Sequence, residues 1–192
     1  MKTKKLTELT MLAAIVVVLT IFSTFIKFGP FSITLALVPI IIGGVLYGAE
    51  GGALLGFVFS LVVLITGLFG WDGGTVMMLI GIRPLAAILI CLLKGTLAGW
   101  VAALVYRAVA GKNGKLAVVL ASIVCPVVNT GVFIAGMLLF FTSTLESWAS
   151  GQGVFYFIIF GLTGINFVVE LLSTLALSSV VTAIIKYRKK SA

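Results

Sequence analysis

The stretch that decides the fold is LAAILICLLKGTLAGWVAALV, residues 85–105, in which Lys94 is the only charge. As an α-helix it would rise about 30 Å, the thickness of a bilayer's hydrocarbon core. The composition around it points the same way. Of 192 residues, 61% are hydrophobic and only 9% are charged. A soluble domain of this size has too much surface to cover with so few polar residues. Lipid must therefore be the solvent for most of the chain.

Six apolar segments can be marked, at about 6–26, 33–47, 51–69, 76–107, 116–141 and 154–186. Together they predict an all-α integral membrane protein: a six-transmembrane-helix bundle in one membrane domain, 1–192. The N-terminal run continues to about Ile26 with no small-x-small cleavage site, so it reads as a retained helix rather than a signal peptide. The second segment holds Pro39 and is short for a span, which suggests a partial or tilted helix beside the third. The fourth and sixth exceed the bilayer and must tilt, kink or project.

Basic residues set the expected orientation. Lys2, Lys4, Lys5, Arg107, Lys112, Lys115, Lys186, Arg188, Lys189 and Lys190 fall on one side if six spans alternate. That side is then cytoplasmic, with both termini. The net charge of +8 needs no nucleic acid to explain it; it is the positive-inside pattern plus contact with the lipid bilayer. The outer connections are then 27–34, 69–76 and 142–153, with Lys27, Asp72, Glu146, Trp71 and Trp148. The tryptophans suit interface anchors. The inner turns, Tyr47–Gly51 and Ala110–Gly114, are tight. The working mouth is expected to face outward.

Several chemistries are excluded. There is no histidine and one aspartate, Asp72. No GxxxxGK[ST], HExxH or GxSxG occurs, so neither ATP hydrolysis by a phosphate loop nor common hydrolase chemistry is expected. No enzyme, metal site or cofactor is anticipated. Cys91 and Cys125 lie in apolar runs without CxxC spacing and read as buried thiols. Gly44, Gly48, Gly52 and Gly56, and again Gly95 and Gly99, recur every fourth residue. Such faces let helices approach closely in lipid. The two halves do not match in sequence, so an inverted repeat is not supported.

The candidate site is built from polar residues inside these spans. Lys94 lies near the midplane, too deep to snorkel easily. If the helix starts at Pro84, Arg83 sits at the outer lip; if it starts earlier, Arg83 and Lys94, spaced i, i+11, share a face. Asn166 and Glu170 are i, i+4 on segment six. Asn129 follows Pro126, which frees the carbonyl of Ser122 four residues back. Two readings stay open. One is a Lys94–Glu170 ion pair with the asparagines as interhelical glue, in a small structural or assembly subunit. The other is a polar pocket for a small solute, in which Lys94 or Arg83 meets an anionic group and Asn129, Asn166 and Glu170 take its polar atoms.

Four stretches carry a family resemblance: FSITLALVPIIIGGVLYGAEGGALLGFVFSLVVL (31–64), LLKGTLAGWVAALVYR (92–107), CPVVNTGVFIAGM (125–137) and GINFVVELLS (164–173). The chain resembles the substrate-binding S component of energy-coupling factor (ECF) vitamin transporters. The resemblance implies a multi-pass protein of the bacterial cell membrane that captures a small vitamin from outside. It would then dock on a membrane coupling protein with two ATPase subunits and topple to release the solute inward. The first, third and fifth loops would cover the solute. The likeness leans toward the pantothenate type, whose solute carries a carboxylate, an amide and hydroxyls; folate, riboflavin or a pyridoxine-like solute stays open. Phe133 and Phe155 are candidate apolar walls. Two departures stand out: Ser60 replaces the acidic residue or asparagine of many relatives, and the small-residue docking face of helix one is partial, with Val17 and Val18 after Ala13 and Ala14.

Overall fold

The structure is a computed structural model and describes residues 2–25, 27–28, 31–32 and 35–190. The elements run α1 (Lys2–Ser23), a two-residue ladder β1 (Lys27–Phe28) with β2 (Phe31–Ser32), α2 (Leu37–Leu68), α3 (Thr75–Ile82), α4 (Pro84–Ala110), α5 (Gly114–Phe140), α6 (Thr142–Ala149), α7 (Val154–Tyr156), a π-helical stretch Phe157–Thr163, and α8 (Gly164–Lys190). The expected first outer connection, 27–34, lies partly outside the described residues. Among the described residues, five helices are long and apolar enough to cross a membrane.

The second and third apolar segments form one helical element, α2, folded on itself. Gly48 adopts φ 78°, ψ −167°, a conformation costly for any residue with a Cβ. A Cβ built on Gly51 would strike the Gly43 carbonyl, and one on Gly52 would lie against the Gly44 Cα. In a straight helix, positions eight apart would stand about 12 Å apart. The two arms, 37–47 and 49–68, are therefore a tight helical hairpin. Its basic-side turn is tied to α1 by a hydrogen bond from the Tyr47 hydroxyl to the Glu8 carboxylate.

The glycine spacing does the packing expected of it. α2 and α4 make the most extensive contact in the molecule, followed by α4 and α5. Cβ atoms on Gly52 and Gly56 would collide with the carbonyls of Gly99 and Gly95. The Gly95 N–H donates to Ser60 Oγ at 3.2 Å across the same seam. Lipid gives no hydrophobic drive for helix association, so this close backbone approach supplies the cohesion through dispersion contacts. The main core gathers Val16, Ile40, Leu55, Phe59, Ala98 and Cys125 from α1, α2, α4 and α5.

Three boundaries differ from the sequence-based expectation. The segment 76–107 is two helices, broken at Arg83, whose φ −144°, ψ 86° is extended. Pro84 occupies the first turn of α4, and its ring forces the preceding residue out of helical geometry. The connection 142–153 contains α6, whose Leu145 and Ala149 are buried. Trp148 packs against a second core cluster with Leu79, Ile90, Met137 and Phe141, so it is more than a surface anchor. The last segment begins with three α-helical residues and a π-helical stretch before α8 proper. At the basic end, Asn113 Oδ1 accepts from the N–H groups of Lys115 and Leu116, both at 3.1 Å, and starts α5.

Candidate functional site

The hairpin, the α3–α4 break and the loosened centre of α5 together leave a cavity of about 120 Å³. A single buried water needs only about 10–15 Å³ on this kind of measure, so the space admits several waters or a small solute. Its walls come from α2, the loop after it, α3, α4, α5 and α8.

α4 contributes Lys94, roughly 15 Å beyond Pro84 by helical rise. The partly buried ammonium stands over the Phe133 ring of α5, 5.5 Å from its centroid. The negative face of the ring stabilises the cation away from water. α5 also brings Asn129 and Thr130 to the wall. Asn129 is 6% exposed, and its Oδ1 has no hydrogen-bond partner. α8 brings Asn166, Phe167 and Glu170. Asn166 Oδ1 is likewise buried without a partner, and Glu170 is 6% exposed.

The helix centre around Pro126 behaves as its sequence suggested. Proline removes one backbone donor and leaves the Ser122 carbonyl without its usual partner. Thr174 of α8 donates its hydroxyl to that carbonyl at 2.8 Å. This bond crosses from α5 to α8 and fixes the faces that carry Asn129 and Glu170.

Four of the five expected site residues, Lys94, Asn129, Asn166 and Glu170, thus line one cavity. Arg83 does not. It is exposed, on the extended link between α3 and α4. The shared-face reading needed an unbroken helix through Pro84, and the break at Arg83 removes that register. Phe133 is on the wall, whereas Phe155 is 74% exposed and takes no part. Ser60 sits in the α2–α4 seam, outside the lining.

Other wall residues had little sequence signal. Asp72 was assigned to a connection; its Oδ1 accepts from Gly74 N–H at 2.9 Å and its Oδ2 from Val76 N–H at 2.8 Å, which starts α3 and holds the carboxylate at the cavity. An aspartate before two glycines and an apolar run is a helix-start pattern that could have revealed this. Thr75 and Thr130 add hydroxyls, and Phe59 and Phe167 add rings. Nothing in a uniformly apolar run distinguishes those two phenylalanines from lipid-facing ones.

A family model described as ECF transporter, substrate-specific component, matches residues 4–187. Comparison with curated proteins and with solved structures gave no match. With nearly the whole chain matched and a cavity among its apolar helices that charged and amide side chains help to line, the protein belongs to the family of ECF transporter substrate-specific components, multi-pass proteins of the bacterial plasma membrane.

Proposed function

We propose that this chain captures a small water-soluble vitamin in the cavity around Lys94 and delivers it inward after docking on an ECF module of a membrane coupling protein and two ATPase subunits. The observation that carries the reading is two buried amide oxygens, Asn129 Oδ1 and Asn166 Oδ1, left without partners on a wall shared with a partly buried cation and a buried carboxylate. A buried polar atom without a partner costs about 1–3 kcal/mol. A bundle that needed only mechanical cohesion would gain by replacing both with apolar residues. A solute or water offering N–H or O–H groups removes the cost.

Lys94 would meet an anionic group, and the amides and the Thr75 and Thr130 hydroxyls would meet hydroxyl or amide groups. Pantothenate, with one carboxylate, one amide and two hydroxyls, fits that division. In this reading the two arms of α2 count as separate helices of a six-helix bundle. The basic residues around the Gly111 turn and at both termini face the cytoplasm, together with the Gly48 turn, and the Phe69–Gly74 loop covers the outward mouth. The exposed Ala14 and Val18 on α1 would belong to the docking face.

Native mass spectrometry of the gently extracted protein tests this. A stoichiometric vitamin-sized adduct, with loss of that vitamin's uptake on gene deletion, is expected. No adduct and no uptake defect would favour a purely structural subunit.

A further inference from the structure

The cavity wall holds an unequal number of charges. Among the described residues, its charged side chains are one cation, Lys94, and two carboxylates, Asp72 and Glu170. Asp72 is pinned by the N–H groups of Gly74 and Val76, so it cannot swing away from an arriving anion without uncapping α3. The atoms short of a partner, Asn129 Oδ1 and Asn166 Oδ1, are both acceptors.

From this we propose that the site selects solutes that carry at most one negative charge and at least two N–H or O–H donors, and that it rejects the phosphate ester of the same solute. This rests on the vitamin-capture function above. A phosphate monoester carries a charge of about −1.5 to −2 at neutral pH and consists mainly of acceptors. Lys94 neutralises one unit of charge. The remainder faces Asp72, whose carboxylate is held at the wall by the Gly74 and Val76 N–H groups, in a partly buried setting where like charges repel more than in water. The phosphate oxygens also offer nothing to the two amide oxygens. A free alcohol form presents its hydroxyl as a donor and brings no surplus charge.

The test uses the full purified chain in lipid nanodiscs. Pantothenate, pyridoxine, riboflavin and thiamine are each titrated beside their own monophosphate esters, with calorimetry as the readout. One parent vitamin is expected to bind, with its ester weaker by about a hundredfold or more, the scale of an uncompensated like-charge contact in a site. In Asp72→Asn, whose amide oxygen can still accept from the α3 N–H groups, the gap between parent and ester should narrow by about tenfold. The inference is overturned if the ester binds within about tenfold of its parent, since one such step is all that ordinary contact differences supply. It is also overturned if the gap is unchanged in Asp72→Asn, because size rather than charge would then exclude the ester. Binding by none of the parents is a different outcome: it counts against the vitamin-capture function for these four solutes rather than against selection by charge.

Discussion

At the scale of single residues, the site is a set of costs that the surrounding protein offsets only in part. A lysine at mid-bilayer depth costs about 2.5–3.5 kcal/mol on insertion scales. A desolvated cation over an aromatic face recovers about 2 kcal/mol of that. The Lys94–Phe133 contact therefore offsets part of the cost. The asparagines are plainer. Asn129 is buried with an unpartnered oxygen, so its presence weakens the empty protein. Asn129→Leu is expected to stabilise the solute-free protein by about 1–2 kcal/mol, the lower part of the range for an unsatisfied buried group, while reducing solute affinity. Thermal unfolding with and without solute checks both halves. A fall in stability without solute would show that the amide is satisfied in the empty protein.

At the scale of elements, the polar crossing between α5 and α8 is a repair of a deliberate break. Pro126 strips the Ser122 carbonyl of its partner, and the Thr174 hydroxyl takes it up at 2.8 Å. Thr174→Val should cost about 1–3 kcal/mol, because it strands a buried carbonyl. In a Pro126→Ala background the helix supplies its own donor, so the same substitution should cost clearly less. A double-mutant cycle by denaturant or thermal unfolding measures that coupling, and strict additivity would refute the link. The consequence of Pro126 was legible because proline acts at a fixed offset. The break at Arg83 was half legible: Pro84 announced a helix start, but a continuous apolar run hid the end of α3 just before it. α6 escaped notice because its buried positions, Leu145 and Ala149, stand among Ser and Thr residues in a segment too short for a periodic signal. The π-helical stretch is a matter of hydrogen-bond register, which the apolar sequence FIIFGLT does not encode in any visible spacing.

At the scale of the whole molecule, the chain solves two problems with separate sets of residues. Glycines at every fourth position bring α2 and α4 into backbone contact and make that side of the bundle dense. Opposite that seam, α5 and α8 are held by fewer contacts and a polar bond, and the cavity opens between the two sets. The membrane character, the α2 hairpin and the meeting of Lys94, Asn129, Asn166 and Glu170 at one cavity could be read from the sequence, because charges and amides in lipid are too costly to be incidental. Asp72 could not be placed, since a loop carboxylate has no depth until the loop folds back on the helices. Of the two placements offered for Arg83, the one with α4 starting at Pro84 is the one observed, and the shared face with Lys94 is lost.

The central claim is that Lys94 and the amides around it surround a solute rather than one another. Its most direct test is the melting temperature of the purified protein with each candidate vitamin, in wild type and Lys94→Ala. Ligand at about a hundredfold over its dissociation constant stabilises by about 2.7 kcal/mol, which is readily seen. One vitamin should raise the wild-type melting temperature. In Lys94→Ala the solute-free protein should melt close to wild type, and that vitamin's affinity should fall by about tenfold or more, as for a lost charge-assisted contact. An unchanged vitamin affinity in Lys94→Ala, or no response to any vitamin together with a collapse in melting temperature, would contradict the claim.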